Sequence, residues 1–557
     1  MKAGHLEAIK RYPSALSARQ WSLLLTGFAI LLWAYSLVQT KLKLDGYGLV
    51  HSYPVTFFIS LGILTIASAI LWVSKEKSGK LLFLQLLFLI ISLWLTPLLI
   101  GGIGNSQPSL GGTVGEYGYS EYIARIGHFS PEISWRLNWP GIYTLSAEII
   151  QISGKIEPYT ILSVFPFISH IIFLVPIFLL FKNTLSSFGH NYHWAAIWVF
   201  YVGIWDSGGF LHTQTLANFF IFSILALFTV GLIAETISRN IIFYLSYIVL
   251  IAGLTITHLF TSIFALIISA AFWITKMLKN PAIIIFSAIV IAGWMIYGTM
   301  AFFGSRFSLF IEQAFRLDTI FGNSISGRLK GMPVHQTVIQ IRLIITIFFV
   351  VIGVIGFFVA RKNKISSDSI MFTIAGSALV LLVILGAAYG FEAPQRTLIF
   401  LMVPIAYYVV RFLTSKMGAI VITIALIMIL PLNVISHYGN QASDYLSPST
   451  IQAVYYFRDH TIGGCVVANN SFGAVNNIEN YQFYSFENML TEQNPLSKIP
   501  EYPVRYIVFT TQEQSLFSLI YNKPNYDPMM RLTLNNMTSY NLVYENPDVT
   551  MYFYLNK

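Results

Sequence analysis

Charge is what this sequence lacks most. Aspartate, glutamate, lysine and arginine make up 10% of its 557 residues, where a soluble protein carries about 25%. Hydrophobic residues reach 55%, and the mean hydropathy is +0.67. So few charges cannot cover a water-soluble body of this size. A soluble enzyme is excluded, and a polytopic membrane protein is expected. Cysteine is nearly absent too. With Cys465 alone, the chain can form no internal disulfide and no cysteine-based metal or redox cluster. A lone thiol in an apolar setting reads as a small buried side chain. The sequence also has no internal repeat and no low-complexity segment.

What is present is a series of apolar runs able to cross about 30 Å of hydrocarbon. They lie near 21–38, 54–73, 81–100, 158–181, 213–234, 241–257, 282–303, 339–360, 370–389, 395–413 and 417–436. Two shorter runs, near 194–205 and 261–275, bring the expected number of spans to about thirteen. The first run leads into Lys41, Lys43 and a second apolar run, without a small-residue cleavage pattern, so it reads as a retained anchor. An odd number of spans puts the termini on opposite sides. With the N-terminus inside, the inner connections collect 16 of the 33 Lys/Arg, including Lys75, Lys77, Lys80, Lys276, Lys279, Arg361, Lys362, Arg411 and Lys416. That is the positive-inside arrangement, and it predicts an N-in, C-out protein of the cell membrane.

The net charge of +9 is unevenly spread. Residues 440–557 hold 10 acids and 6 Lys/Arg, a balance of −4, which leaves +13 on residues 1–439. Much of that excess sits in short loops, where it speaks of topology rather than of nucleic acid. The expected division is therefore a transmembrane body, 1–439, and an extracytoplasmic α/β domain, 440–557. Ser447-Pro448 followed by Ile451, Val454 and Tyr455 predicts a capped helix. Segments 465–468, 503–510, 541–544 and 549–555 predict strands, the last two turning at Asn546-Pro547-Asp548. Sequons at Asn469 and Asn536 fall in the same outer tail.

Ionisable residues are costly at membrane depth, so where they occur is informative. They gather in the expected outer loops: Glu116, Glu121, Arg125, Arg136, Asp206, His212, His258 and Arg396 are among them, while span centres hold little beyond His170. That pattern fits chemistry at one face better than a charged path through the bilayer. The long outer loop 101–157 carries six early glycines, at 101, 102, 104, 111, 112 and 115. They follow a membrane helix rather than a strand, which argues against a phosphate-cradling loop. Tyr119, Tyr122, Ile123 and Ile126 share one face of a predicted interfacial helix. Glu121 and Arg125, spaced i,i+4, suit a surface ion pair. Glu116 stands ahead of that predicted helix with no local partner, and reads either as a catalytic carboxylate or as a solvated one.

Glu116, Tyr119, Glu121, Ala124 and Arg125, then Trp139-Pro140-Gly141 and a short helix ending at Gly154, resemble the first outer loop of GT-C glycosyltransferases. In that superfamily an acid at a membrane helix end precedes a tyrosine, an amphipathic helix and a proline-containing segment. The resemblance spans about 40 residues. It implies sugar transfer from a polyprenyl-phosphate donor at the outer face, with the loop acid as general base. It also implies a lipid, glycan or protein acceptor, and in some members a divalent metal such as Mg or Mn. Many members have paired acids here, whereas Gly115 precedes Glu116, so Glu116 and Asp206 are the only metal candidates this comparison offers. The tail has no WWDYG-type acceptor motif of the oligosaccharyltransferases.

The remaining candidates each keep two readings. Asp206, in the next outer loop, is a second acid for metal or acceptor, or an N-terminal helix cap. His212 and His258 bind phosphate or metal, or serve as interfacial hydrogen-bonders. Arg396 grips a lipid-linked phosphate in bidentate fashion, or pairs with Glu392 at i,i+4. The basic loop 304–338 is a substrate gate or a solvated connection. Against the enzyme stand a flippase for lipid-linked saccharides and a non-catalytic anchor. A flippase calls for repeats and midplane charges that are not seen here. An anchor has no need of Glu116 and Asp206 facing one cavity.

Overall fold

In the computed structural model, residues 16–101, 111–154, 158–205, 211–233, 241–300, 302, 331–362, 365–385, 392–468, 470–473, 477–484, 486 and 504–555 are described. Every expected apolar run is helical there, as a bilayer demands of a segment that must satisfy its own backbone groups. The helices are α1 (Ala18–Gln39), α2 (Val55–Trp72), α3 (Gly79–Ile90), α4 (Thr96–Gly101), α5 (Gly111–Ile126), α6 (Gly141–Ser153), α7 (Pro158–Leu185), α8 (Tyr192–Gly203), α9 (Thr213–Ile233), α10 (Ile241–Thr255), α11 (Leu259–Ile274), α12 (Ala282–Tyr297), α13 (Pro333–Arg361), α14 (Ser366–Leu385), α15 (Glu392–Leu413) and α16 (Lys416–Tyr438). A single π turn, Ile91–Leu95, joins α3 to α4 into one rod. Among the described residues, nine helical stretches are long and apolar enough to cross a membrane, and α10, α11 and α12 are shorter. The twelve residues of α8 are buried on all sides apart from Tyr192. It is an interior helix, which is why its run looked short.

The bundle packs α1 on α2, α7 on α9 and α13 on α15 around one large apolar core. Between lipid-bathed helices, polar contacts fix partners. Gln85 donates to both Ser22 and Thr26 and accepts from Ser68, so one amide ties α1, α2 and α3 together.

After α16 come α17 (Pro448–His460), β1 (Gly464–Val467), β2 (Tyr481–Tyr484), β3 (Val504–Thr510), α18 (Thr511–Leu519), α19 (Tyr526–Asn535), β4 (Tyr540–Glu545) and β5 (Val549–Tyr554). Ser447 accepts from the Thr450 amide and Pro448 opens α17, as the sequence predicts. The sheet runs β2-β1-β3-β5-β4, with β1 parallel to β2 and β3, and β5 antiparallel to β3 and β4. One face of this sheet and α17 share a core with the long segment between α4 and α7. Val114, Ile123 and Tyr143 pack in the same cluster as Val454, Phe472 and Val508. Loop and tail are thus one packed body.

The N-in, C-out orientation has a direct test. Cysteine labelling from outside should modify sites engineered in 128–132 and in the tail, and should leave a site at Lys362 unlabelled. Labelling at Lys362 instead would reverse the topology.

Candidate functional site

Helix α5 starts at Gly111, well before the interfacial helix expected from Tyr119, and so takes in Glu116. Glycine is a poor helix former, and four of the first eight residues are glycine, so sequence propensity hides this start. Packing against the tail supplies what propensity lacks. Glu116 is therefore not a loop carboxylate: its side chain is 2% exposed.

It also has a partner, twenty residues further on. Arg136, in the short turn Trp135–Asn138, places Nη1 3.1 Å from Glu116 Oε1. The turn is held by Ser134, whose hydroxyl accepts from the Arg136 amide. Next, Trp139-Pro140-Gly141 brings the chain onto the α10–α11 corner. The Gly141 amide donates to Ile256 O, and a Cβ at Gly141 would stand 2.4 Å from Thr257 Oγ1, so only glycine fits. That contact seats the start of α6 against Thr257, next in the chain to His258, the residue before α11.

Two imidazoles and a second guanidinium close the cluster. His212 precedes α9, and its Nδ1 accepts from the Gln214 amide, which leaves the proton on Nε2, 3.6 Å from Glu116 Oε1. Arg396, in the first turns of α15, donates through Nη1 to His258 Nε2 at 2.7 Å. His258 Nδ1 must then carry the proton, which it gives to Thr261 Oγ1 at 2.9 Å. Burial, and then the Arg396 guanidinium, hold His258 well below the usual imidazole range. Burial also lowers His212, assisted by Arg396 and Arg136. Both imidazoles are neutral donors or acceptors near pH 7.

Glu116 is pushed the other way. Burial raises its pKa to about 7, against the lowering pull of Arg136, the Tyr143 hydroxyl and Arg396. Its Oε1 carries the Arg136 contact, while Oε2 is buried without a hydrogen-bond partner among the described residues. Tyr143 itself is driven well above the normal phenol range by burial and by the carboxylate beside it.

The structure thus brings together Glu116, His212, His258 and Arg396 from the sequence-predicted set. Arg136 and Tyr143, which sequence reasoning did not single out, join them. Glu121 and Arg125 stand elsewhere. Five residues along α5 turns a side chain by about 140° from Glu116. There Arg125 meets Glu121 at 3.3 Å and reaches the tail, where Glu479 accepts from Nη2 at 2.7 Å. They fasten the loop to the tail rather than face the cluster. Asp206 and most of the loop 304–338 lie outside the described residues, as does the Glu392 side chain. His170, the mid-span histidine, stands apart from the cluster: its Nδ1 meets Pro166 O of its own helix, and the ring stacks on Trp94.

A divalent metal finds little here. Among the described residues no three His, Cys, Asp or Glu gather as a metal site. Glu116 is the one described carboxylate in the cluster, and it faces two guanidinium groups. As far as the described residues go, that donor set does not fit a divalent cation.

The chain is thus a helical membrane body whose long loop after α4 packs a buried acid against a C-terminal α/β unit, and this overall fold is shared with a solved membrane protein. Among solved structures it is similar to the oligosaccharyltransferase of Archaeoglobus fulgidus in the apo form. The TM-score is 0.51 at 11% identity, over 81% of this chain and 72% of that one. Two further structures from Archaeoglobus fulgidus align less closely. One is the archaeal oligosaccharyltransferase AglB in complex with an inhibitory peptide and a dolichol-phosphate, with TM-score 0.48, 12% identity and coverage of 86% and 74%. The other is the oligosaccharyltransferase tethered to an acceptor peptide containing the NVT sequon, with TM-score 0.46, 11% identity and coverage of 85% and 74%. No protein-family model matches the chain, nor does any curated protein sequence.

Proposed function

We propose that this chain is an inverting membrane glycosyltransferase, moving a sugar from a polyprenyl-phosphate-linked donor to a lipid, glycan or protein acceptor outside the cell membrane. In this reading 1–439 is the membrane body and 440–557 the extracytoplasmic part. The observation that carries it is Glu116: a carboxyl group with one oxygen held by Arg136, the other unpartnered among the described residues, and a pKa near 7. A general base works best when its pKa lies near the working pH.

The step follows from those parts. Glu116 Oε2 takes the proton of the acceptor nucleophile, which attacks the anomeric carbon. The bond from that carbon to the phosphate oxygen breaks, and its electron pair leaves with the lipid phosphate. With the imidazoles neutral and Glu116 ionised, Arg136 and Arg396 give the described cluster a charge of +1, suited to a phosphate that gains negative charge as it departs. In this reading Arg396 is the grip: it meets His258 beside Glu116, and a guanidinium presents its donors in a planar fork that matches phosphate oxygens.

Arg396→Ala should weaken binding of a polyprenyl-phosphate sugar by about 10- to 100-fold, the loss expected for hydrogen bonds between charged groups. Arg396→Lys should restore only part of it, because the planar fork is lost. Donor affinity unchanged in both variants, measured with purified protein in nanodiscs, would remove Arg396 from this role.

A further inference from the structure

We propose that the end of the bundle opposite Glu116 holds the headgroup of an anionic phospholipid, in two adjoining cavities that share the segment after α11 and the start of α14, one bounded by α9 and α10 and the other by α13 and α15. Helix α15 measures the separation. Arg396 lies near its start and Arg411 in its last turn, fifteen residues or roughly 22 Å apart along the axis. The first cavity, about 470 Å³, is lined by Lys279, Asn280 and Ser366 with Tyr244 and Leu232. The second, about 500 Å³, is lined by Thr275, Arg361, Thr373 and Tyr408 with Phe357 and Phe372. Met277 and Ser369 belong to both walls. Each cavity therefore has one cation at its rim, hydroxyl groups inside and aromatic side chains beside them.

The acid that would cancel those cations is already engaged. Among the described residues, Asp368 is the single carboxylate on either lining. Its Oδ1 accepts from Tyr407 at 2.8 Å and faces Arg411 at 3.5 Å, and its Oδ2 accepts from the Ile365 amide at 2.9 Å. The Arg361 guanidinium lies over the Phe357 ring, 6.0 Å away, and Phe357 in turn stacks on the exposed Phe372. Lys276 and Lys362 add charge at the same end. A basic pocket between membrane helices, with apolar walls open to the lipid, is how proteins recognise anionic headgroups. Phosphate oxygens would meet Lys279, Arg361 and the serine and threonine hydroxyls, while the acyl chains would start along Phe357 and Phe372. The site is independent of Glu116 and of any sugar chemistry.

Native mass spectrometry of the purified full chain tests this, with phosphatidylglycerol and phosphatidylcholine as probes. Phosphatidylglycerol should bind in preference. A surface cation contributes about fivefold to anionic-lipid affinity, so the double variant Lys279→Ala, Arg361→Ala should lose roughly 30-fold. Ser369→Trp keeps both cations and fills the shared wall, and should also abolish the preference. The control Lys75→Ala, Lys77→Ala should retain it. Equal binding of the two lipids, full binding by the double variant, or full binding by Ser369→Trp would overturn the proposal. So would displacement by millimolar inorganic phosphate, which would mark a site for a free anion.

Discussion

Glu116→Gln is expected to slow sugar transfer by about 10²–10⁴-fold while the protein still folds. Glutamine keeps the length and planarity of the side chain but cannot take a proton, so the change isolates that one role. The pH profile makes the test sharper. Because burial raises Glu116 to about 7, the parental rate at limiting substrate should climb with pH below 7 and level off above it. The variant's residual rate should lack that limb. Stability gives a second reading, free of any substrate. The folded state holds the Glu116 proton more tightly than the unfolded chain does, so the parent should lose stability as pH rises from about 4.5 through about 7. The glutamine variant should lack that slope, which melting temperatures across the range will show. Glu121→Gln is the control. Its partner Arg125 is bound to Glu479 as well, both ends are partly solvated, and such pairs contribute little. A parental rate in Glu116→Gln, or a dead Glu121→Gln, overturns the assignment of the base.

The sequence alone made the membrane body legible, because hydrocarbon imposes one simple rule: long apolar runs become helices. Each of the thirteen expected runs coincides with a helix over most of its described residues, and strands β1, β3, β4 and β5 fall within a residue or so of their expected places. The sheet was harder. Strand β2, four residues with a single polar one among its aromatics and only partial burial, carries a weak pattern, and the order of strands is fixed by packing that no local signal reports. The site was half legible. An acid in a loop is visible as a residue type, but its partner is not: Arg136 lies twenty residues away and meets Glu116 only because Gly141 lets the following segment seat against Thr257. The ion pair expected for Glu121 and Arg125 forms, yet its second acid, Glu479, comes from a strand-linking turn 354 residues on. Charge spacing can propose i,i+4 pairs, whereas pairs across a fold need the fold.

The same packing predicts that Gly118→Ala will cost about 10²-fold in transfer, although residue 118 never faces the cluster. Helix α5 lies directly on the tail, backbone against backbone. A Cβ at Gly118 would stand 2.2 Å from the carbonyl oxygen of Gly473, and a Cβ at Gly473 would stand 2.8 Å from Gly115 Cα. Neither neighbour is a flexible side-chain end that can swing aside, so the helix or the tail must shift. Glu116 is two residues from Gly118 and one from Gly115, and it would move with them. A displacement of about 1 Å at a reacting group can cost about 10²-fold, and the overpacking itself should cost about 1–3 kcal/mol of stability. A merely structural defect would lower the amount of folded protein, whereas a positioning defect should lower kcat in the folded fraction and leave donor KM near parental, since Arg396 sits on another element. Gly376→Ala is the matched control: it is also inside a helix, nothing lies within 4 Å of its would-be Cβ, and alanine there should add up to about 1 kcal/mol of stability. Gly473→Ala approaches the same contact from the tail side and should reproduce the kcat loss of Gly118→Ala. If both variants turn over at the parental rate, the tail does not position Glu116, and its contact with α5 serves stability alone.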